Sequence, residues 1–323
     1  MYMLKDNYNR YFSYLRLSIT DSCNFQCKYC MPENFKFNKD ENLSINEIHN
    51  LIAAFSELGV NKIRLTGGEP TLRKDFINIA KTISNFNSIK SLVFTTNGYK
   101  LLELKDDIKK SGFTGINISL DTLNKEKFAV ITNRDYFDKV FEGILHVLKL
   151  NLDIKINIVL SDLFSFSDFE NFYSLTKYKN INIRFINQME TNFVKRKQKS
   201  INLNYLLTFL KNNKWLLNNE KNISAGPALN FKNKNFIGTI GIINPYSNSF
   251  CLSCNRLRIS SKGDLFLCLF GGKSYSIKNF LNSKNKKFEL QKFLIEKVKI
   301  KSYSHFLEYK NFGELNTFSS IGG

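Results

Sequence analysis

Over its first 190 residues the chain alternates short runs with apolar residues at every second position and longer stretches of helical periodicity. Alternation at period two marks a strand with one buried face, and an i, i+3, i+4 pattern marks an amphipathic helix. Six strands are predicted, over residues 15–20, 62–67, 91–97, 115–121, 153–160 and 181–188, with helices between them. One helix is expected over 46–58, behind Ser44-Ile45-Asn46-Glu47, where Ser44 and Glu47 form a capping box over the first backbone amides. Strand–helix units of this size imply right-handed crossovers and a parallel sheet. Six of them fit either a partial barrel or an open doubly wound sheet.

The alternation carries a second signal. In the first strand Leu15, Leu17 and Ile19 oppose Arg16, Ser18 and Thr20; in the second Ile63 and Leu65 oppose Arg64 and Thr66. In the fourth, Ile116, Ile118 and Leu120 oppose Asn117, Ser119 and Asp121. The fifth sets Ile154, Ile156 and Ile158 against Lys155 and Asn157, and the sixth sets Ile183 and Phe185 against Arg184. Parallel strands covered by helices on both sides are apolar on both faces. A polar, partly cationic face in five of six strands predicts a sheet whose inner face lines a wet, functional cavity.

Near residue 200 the pattern changes. A helical stretch over 201–217 precedes a region punctuated by Gly, Pro and Asn, a cysteine-bearing segment over 251–270, a Lys-rich helical stretch and a polar tail. Two units are expected, 1–200 and a smaller one over 201–323 that completes or caps the first.

Length and composition then narrow the class. A chain of 323 residues makes one large domain or two smaller ones, and 43% hydrophobic residues exclude a disordered chain. No apolar run approaches the ~18 residues of a membrane span. The first twenty residues lack the parts of a secretory leader, so a soluble, cytoplasmic protein is expected. Lys and Arg number 47 against 28 Asp and Glu, a net charge of +19. Such a balance suits nucleic acid, an anionic membrane surface or a polyphosphate substrate. The basic residues are scattered, apart from short runs such as Lys195-Arg196-Lys197, as a solvated surface would also be.

All six cysteines fall in two groups of three: Cys23, Cys27 and Cys30 directly after the first strand, and Cys251, Cys254 and Cys268. Three and three do not pair naturally as disulfides. Structural zinc takes four ligands, and His49, His146 and His305 stand at finger-like spacing from neither group. An iron–sulfur cluster held by three thiolates, with one iron open, fits the count better. The first group also lies at the carboxyl end of a parallel strand, where barrel enzymes keep their chemistry. The cations Arg16, Arg64, Lys155 and Arg184 would converge from separate strands, and Arg256 and Arg258, two apart, would point the same way. A polyphosphate would suit such guanidinium forks.

Cys23-x3-Cys27-x2-Cys30 with Tyr29 resembles the signature loop of the radical S-adenosylmethionine family, whose cluster chelates that cofactor through its open iron. Thr66-Gly67-Gly68-Glu69-Pro70, Thr95-Thr96-Asn97-Gly98 and Ser119-Leu120-Asp121-Thr122 extend the resemblance along the chain. The run Cys251-Leu252-Ser253-Cys254-Asn255-Arg256-Leu257-Arg258, then Cys268-Leu269-Phe270 and the ending Ile321-Gly322-Gly323, is similar to the GTP 3′,8-cyclase family of molybdenum cofactor (molybdopterin) biosynthesis.

The resemblance implies an α/β fold: a partial (βα)6 TIM-type barrel of parallel strands, with a smaller C-terminal α+β unit closing it. It implies two [4Fe-4S] clusters, on Cys23, Cys27 and Cys30 and on Cys251, Cys254 and Cys268. The implied activity is that of a lyase. A 5′-deoxyadenosyl radical abstracts the C3′ hydrogen of GTP and the C3′ radical adds to C8, giving 3′,8-cyclo-7,8-dihydro-GTP. By similarity the second cluster binds the guanine. Arg16, Arg64, Thr95, Lys155, Arg256 and Arg258 match positions that bind GTP, and Tyr29, Gly68, Ser119 and Met189 match positions that bind S-adenosyl-L-methionine. Arg184 and the terminal Gly322 and Gly323 match catalytic positions. The implied partners are a reductase or flavodoxin-type electron donor, a downstream cyclic pyranopterin monophosphate synthase and a second copy of the chain, with neither nucleic acid nor membrane. One departure stands out: the family usually carries an acidic residue just after the sixth-strand arginine, where this chain reads Phe185-Ile186-Asn187-Gln188-Met189. The competing readings are a radical enzyme that modifies peptide or RNA and a zinc-dependent, non-catalytic binder of nucleic acid. The first calls for more downstream cysteines or an appended RNA-binding module, the second for zinc in place of iron.

Overall fold

The structure is a computed structural model and describes residues 3–27, 29–30, 42–190, 201, 203–218, 226–247, 249–270 and 273–305. Among them, strands β1 (Tyr14–Ser18), β2 (Lys62–Thr66), β3 (Ser91–Thr96), β4 (Gly115–Ser119), β5 (Asp153–Leu160) and β6 (Asn182–Asn187) run parallel in sequence order. Later in the chain come β7 (Leu216–Leu217), β8 (Leu229–Lys232), β9 (Thr239–Ile243), β10 (Arg256–Ile259), β11 (Asp264–Phe266) and β12 (Ser274–Ser276). All twelve form one sheet, in the order β12-β11-β10-β1-β2-β3-β4-β5-β6-β9-β8-β7. The chain beyond residue 200 thus adds a parallel strand at each edge, β10 beside β1 and β9 beside β6, each continued by antiparallel strands. The two outer edges are not hydrogen-bonded to each other, so the barrel is partial and open.

The apolar strand residues identified by periodicity lie on the helix-facing side. Leu15, Leu17, Ile63, Leu65, Ile116 and Ile156 are fully buried, and α1 (Ile45–Glu57) contributes Ile48, Leu51, Ile52 and Phe55 to the same core. A fully buried side chain of this size is worth about 1.5–3 kcal/mol, so this layer carries most of the fold's stability. The expected strands overrun their real ends: Thr20, Gly67, Asn97, Asp121 and Gln188 lie beyond them. At these points the ladder gives way to loops that use the same residues differently. Gly67 takes φ 145°, the Asn97 amide donates to Glu69, and Asp121 accepts from Tyr29 and Val159.

The helix expected over 201–217 is shorter. It spans Leu203–Asn212 and ends because Lys214 adopts φ 60°, with its N–H donating to Lys211 O and that of Trp215 to Leu210 O. This left-handed closure frees Leu216 and Leu217 to form β7. No helix among the described residues is long and apolar enough to cross a membrane.

The capping box forms as the sequence implies. Ser44 Oγ accepts from Glu47 N (3.2 Å), and Glu47 Oε2 accepts from Ser44 N (2.8 Å). Ser44→Ala should cost about 1 kcal/mol of stability, read as a lower urea midpoint with an unchanged slope; an unchanged midpoint would show that α1 is held by its buried face alone.

Candidate active site

The inner face of the sheet is built by strand parity. Arg256, Tyr14 and Lys62 stand level on β10, β1 and β2, and Arg258, Arg16 and Arg64 form the next row toward the carboxyl ends. Across the barrel Asn117 pairs with Lys155 and Asn157 with Arg184. The rows enclose a cavity of about 300 Å³, lined by Arg16, Arg64, Thr95, Arg184, Arg256 and Arg258 among others. Lys155 is not among the lining residues; its ammonium is turned to Asp153 on the same strand.

These cations crowd one another. Burial, then Arg64, brings Arg184 down to about 10, and burial, then Arg256, does the same to Arg258. Burial and the charges of Arg258, Arg64 and Arg256 press Arg16 below its usual range. Lys62 is brought down to about 8, by burial and by Arg64 and Arg184. Lys155 is brought down to about 6, by burial and by Arg184, Lys62 and Arg64. The mostly exposed Asp153 carboxylate is screened by water and does not offset this. Arg64 donates to Thr95 Oγ1 (3.2 Å) and, once the Asn117 amide presents its oxygen, to Asn117 (2.7 Å). Tyr14 sits amid the cations. Burial raises its phenol, but Arg64, Arg16, Lys62 and Arg256 outweigh that and bring it to about 8. Among the described residues lining the cavity, the only carboxylates are Glu69 and Asp121. This is a site shaped for a polyanion.

Cys23, Cys27 and Cys30 lie beyond the carboxyl end of β1 and line the same cavity, together with Tyr29, Gly68, Ser119 and Met189. Their loop is pinned from several sides. Gly68 N donates to Thr20 O (2.9 Å) and Glu69 N to Ser22 O (2.8 Å). A Cβ on Gly68 would overlap the backbone oxygens of Asp21 and Ser22, so the glycine permits this backbone-on-backbone contact. Glu69 accepts from Thr71 N (3.1 Å), Thr96 Oγ1 (2.8 Å) and Asn97 N (2.6 Å), joining the loops after β2 and β3. Tyr29 donates to Asp121 (2.7 Å), which also accepts from Val159 N (2.7 Å).

Cys251 and Cys254 precede β10, which runs parallel to β1, and Cys268 follows the antiparallel β11. The second group therefore lies at the amino ends of the parallel strands, opposite the first. Its pocket shares Phe250, Arg256, Arg258 and Leu269 with the main cavity. Arg10, ion-paired to Asp6 (2.6 Å), donates to Cys251 O (3.0 Å), Ser302 O (2.7 Å) and Tyr303 O (2.9 Å), tying this loop to the segment after the last helix. Burial raises the Cys254 thiol, but Arg256 and Lys301 outweigh it and bring it to about 7.

The structure thus gathers every predicted site residue around one cavity and its adjoining pocket except Lys155, which lies behind the lining, and Gly322 and Gly323, which fall outside the described residues. Tyr14, Lys62, Glu69 and Arg10 were not foreseen as site residues, and Asp121 was placed on the inner face by its strand period but given no role. Lys62 shares the parity of Arg64 and could have been found that way; the loop contacts of Glu69 and Asp121 carry no sequence period.

The model of the Radical SAM superfamily matches residues 17–176, and that of Molybdenum Cofactor Synthesis C matches residues 181–307. A GTP 3′,8-cyclase of Haemophilus influenzae (strain 86-028NP) is 41% identical over 99% of this chain and 96% of its own length. One from Pasteurella multocida (strain Pm70) is 39% identical over the same shares. Among solved structures, SuiB of Streptococcus suis superposes with a TM-score of 0.64 at 13% identity, covering 88% of this chain and 69% of that one. The protein anSMEcpe does so with a TM-score of 0.59 at 15% identity, covering 93% and 96%; both share the fold. An open parallel barrel with a three-cysteine loop after its first strand is the architecture of a radical SAM protein. Within that superfamily, the chain belongs to the GTP 3′,8-cyclase family.

That family uses S-adenosylmethionine and two [4Fe-4S] clusters, and the donor sets fit them. All six cysteines are free thiols. Cys23, Cys27 and Cys30 line the main cavity together, and Cys251, Cys254 and Cys268 line the adjoining pocket together, so each triad offers three thiols to one space. Burial pushes Cys23 up to about 11 and Cys30 to about 12, so thiolates there need a coordinated cationic group. Gly68→Ala should cost the first cluster its iron, as Cys27→Ser would, and leave the second site loaded. Iron per chain after anaerobic reconstitution reads this out; full iron in the alanine variant would show the glycine contact to be dispensable.

Proposed function

We propose that the chain is a GTP 3′,8-cyclase, the lyase that converts GTP to 3′,8-cyclo-7,8-dihydro-GTP in the first step of molybdenum cofactor biosynthesis. The observation that carries this reading is the cationic band between a cysteine triad lining the main cavity and a second triad lining the pocket that adjoins it. The clusters and S-adenosylmethionine, when bound, supply the one-electron chemistry that removes a hydrogen atom from the ribose. Cys23, Cys27 and Cys30 hold one cluster, and Tyr29, Gly68, Ser119 and Met189 the sulfonium cofactor beside it. Cys251, Cys254 and Cys268 hold the other, where Phe250 and Leu269 offer apolar surface to a purine. Arg16, Arg64, Thr95, Arg256 and Arg258 face the phosphates and ribose between, with Lys155 behind them. Arg184, donating from Nε to Asn182 (2.7 Å), is fixed on the same wall and serves the reaction from there, together with Gly322 and Gly323. The reading brings with it a reductase or flavodoxin-type electron donor, a cyclic pyranopterin monophosphate synthase for the product, a cytoplasmic setting and a homodimer; the family resemblance supports these.

Anaerobically purified protein should be brown with about eight irons per chain. With GTP, S-adenosylmethionine and a reductant it should form 5′-deoxyadenosine and the cyclised nucleotide together. Zinc without iron, or no cyclised product from the loaded protein, would overturn the reading. Arg256→Ala or Arg258→Ala should impair GTP use and keep the colour of the first cluster.

The depressed lysines add a proton linkage. A polyanion favours charged Lys155 and Lys62, whose pKa values in the free protein are about 6 and about 8. Binding raises both, so GTP binding takes up protons, little at pH well below 6 and more as pH rises past 6, and affinity falls as pH rises through 6 to 8. Calorimetry in buffers of different ionisation enthalpy should show this uptake near pH 7, and Lys155→Met should remove most of it.

A further inference from the structure

The Tyr14 hydroxyl is buried, lines the cavity and has no hydrogen-bond partner among the described residues. A buried hydroxyl in this condition destabilises the free protein, and folds keep one where a ligand completes it. Its surroundings say which ligand. Tyr14 stands level with Arg256 on one side and Lys62 on the other, and one row from Arg16 and Arg64. Lys62 Nζ lies 5.0 Å and Arg64 Cζ 5.7 Å from the centre of its ring. Every charged neighbour is a donor, so the missing partner of the phenol proton is an acceptor that also neutralises cations: an anionic oxygen. On β1, Tyr14 lies between the β10 cations Arg256 and Arg258 and the β2 cations Lys62 and Arg64, and the phosphate chain of a nucleotide would cross there.

We propose that Tyr14 is a positioning residue for the substrate's phosphates, donating its hydroxyl proton to a phosphate oxygen held between these two groups of cations. This rests on the reading of GTP as the substrate. The phenol supplies direction where the guanidinium groups supply charge. It fixes one oxygen at one point on β1 and with it the rotation of the phosphate chain. A phenylalanine would fill the same space and keep the contact with Lys62 and Arg64.

The test compares the parent with Tyr14→Phe, both cluster-loaded, in equilibrium binding of GTP, tripolyphosphate and guanosine, with thermal unfolding of the ligand-free proteins alongside. Hydrogen bonds to charged groups lead us to expect roughly ten-fold weaker binding of GTP and tripolyphosphate. Guanosine binding and iron content should stay unchanged, KM should rise more than kcat falls, and the ligand-free variant should melt no lower than the parent. A purely structural tyrosine would instead lower the melting temperature and weaken all three ligands alike, which overturns the proposal. Equal binding of GTP and tripolyphosphate by the two proteins overturns it too, and leaves the GTP reading standing. A parent that binds neither phosphate compound overturns both.

Discussion

Like charges held close in a partly dry space repel, and this protein concentrates them. Arg16, Lys62, Arg64, Lys155, Arg184, Arg256 and Arg258 share one sheet face, and each of the shifted pKa values among them is moved toward the neutral form by burial first and by its fellow cations next. Among the described residues lining the cavity the only carboxylates, Glu69 and Asp121, are engaged at the carboxyl end in loop contacts. The offset comes from the other side of the same strands, where Leu15, Leu17, Ile63, Ile116 and Ile156 pack against the helices. Period two makes this division possible: one strand carries core on one face and positive charge on the other. The free protein therefore stores an electrostatic demand that a polyanion relieves.

The two ends of the barrel are made different by strand direction. A loop leaving a parallel strand lies at the carboxyl end, as the first cysteine triad does after β1; a loop entering one lies at the amino end, as Cys251 and Cys254 do before β10. Pairing β10 with β1 then brings the second triad beneath the first, with Arg256 and Arg258 rising between them. Two redox-capable donor sets are thereby held apart by a cavity rather than side by side, and a ligand long enough to reach both must cross the cationic band. The glycine pair acts on the upper end alone, by letting the loop after β2 lie directly on the backbone of Thr20 to Ser22.

Much of this was legible in residue order because parity is local. Arg16, Arg64 and Arg184 declare their face by their distance from Leu15, Leu65 and Phe185, and the cysteine spacing declares itself. Tyr14 did not, since an aromatic residue at a strand's start reads as core and the expected strand began one residue later. Of the late strands only β10 left a trace, in Arg256 and Arg258 two apart; β8 and β11, of four and three residues, are too short for a period and exist because an existing sheet edge offers them hydrogen bonds. The opposition of the two triads follows from that nonlocal pairing, so no reading of spacing could reach it.

The neutral residue after Arg184 is accommodated by a similar nonlocal match. Tyr246 N donates to Asn244 Oδ1 (3.2 Å), which fixes the Asn244 amide, and Asn187 Nδ2 donates to that same oxygen (3.2 Å). Asn187 must then present Oδ1 to the cavity, where it is buried and has no partner among the described residues. A carboxylate at 187 would set two acceptors against each other and leave Asn244 no way to turn, because the Tyr246 amide holds it. The amide keeps an acceptor facing the ligand without adding charge to a buried wall. The neutral side chain at 187 is thus coupled to Asn244, a residue 57 positions away in the chain, and the two are best understood as one device.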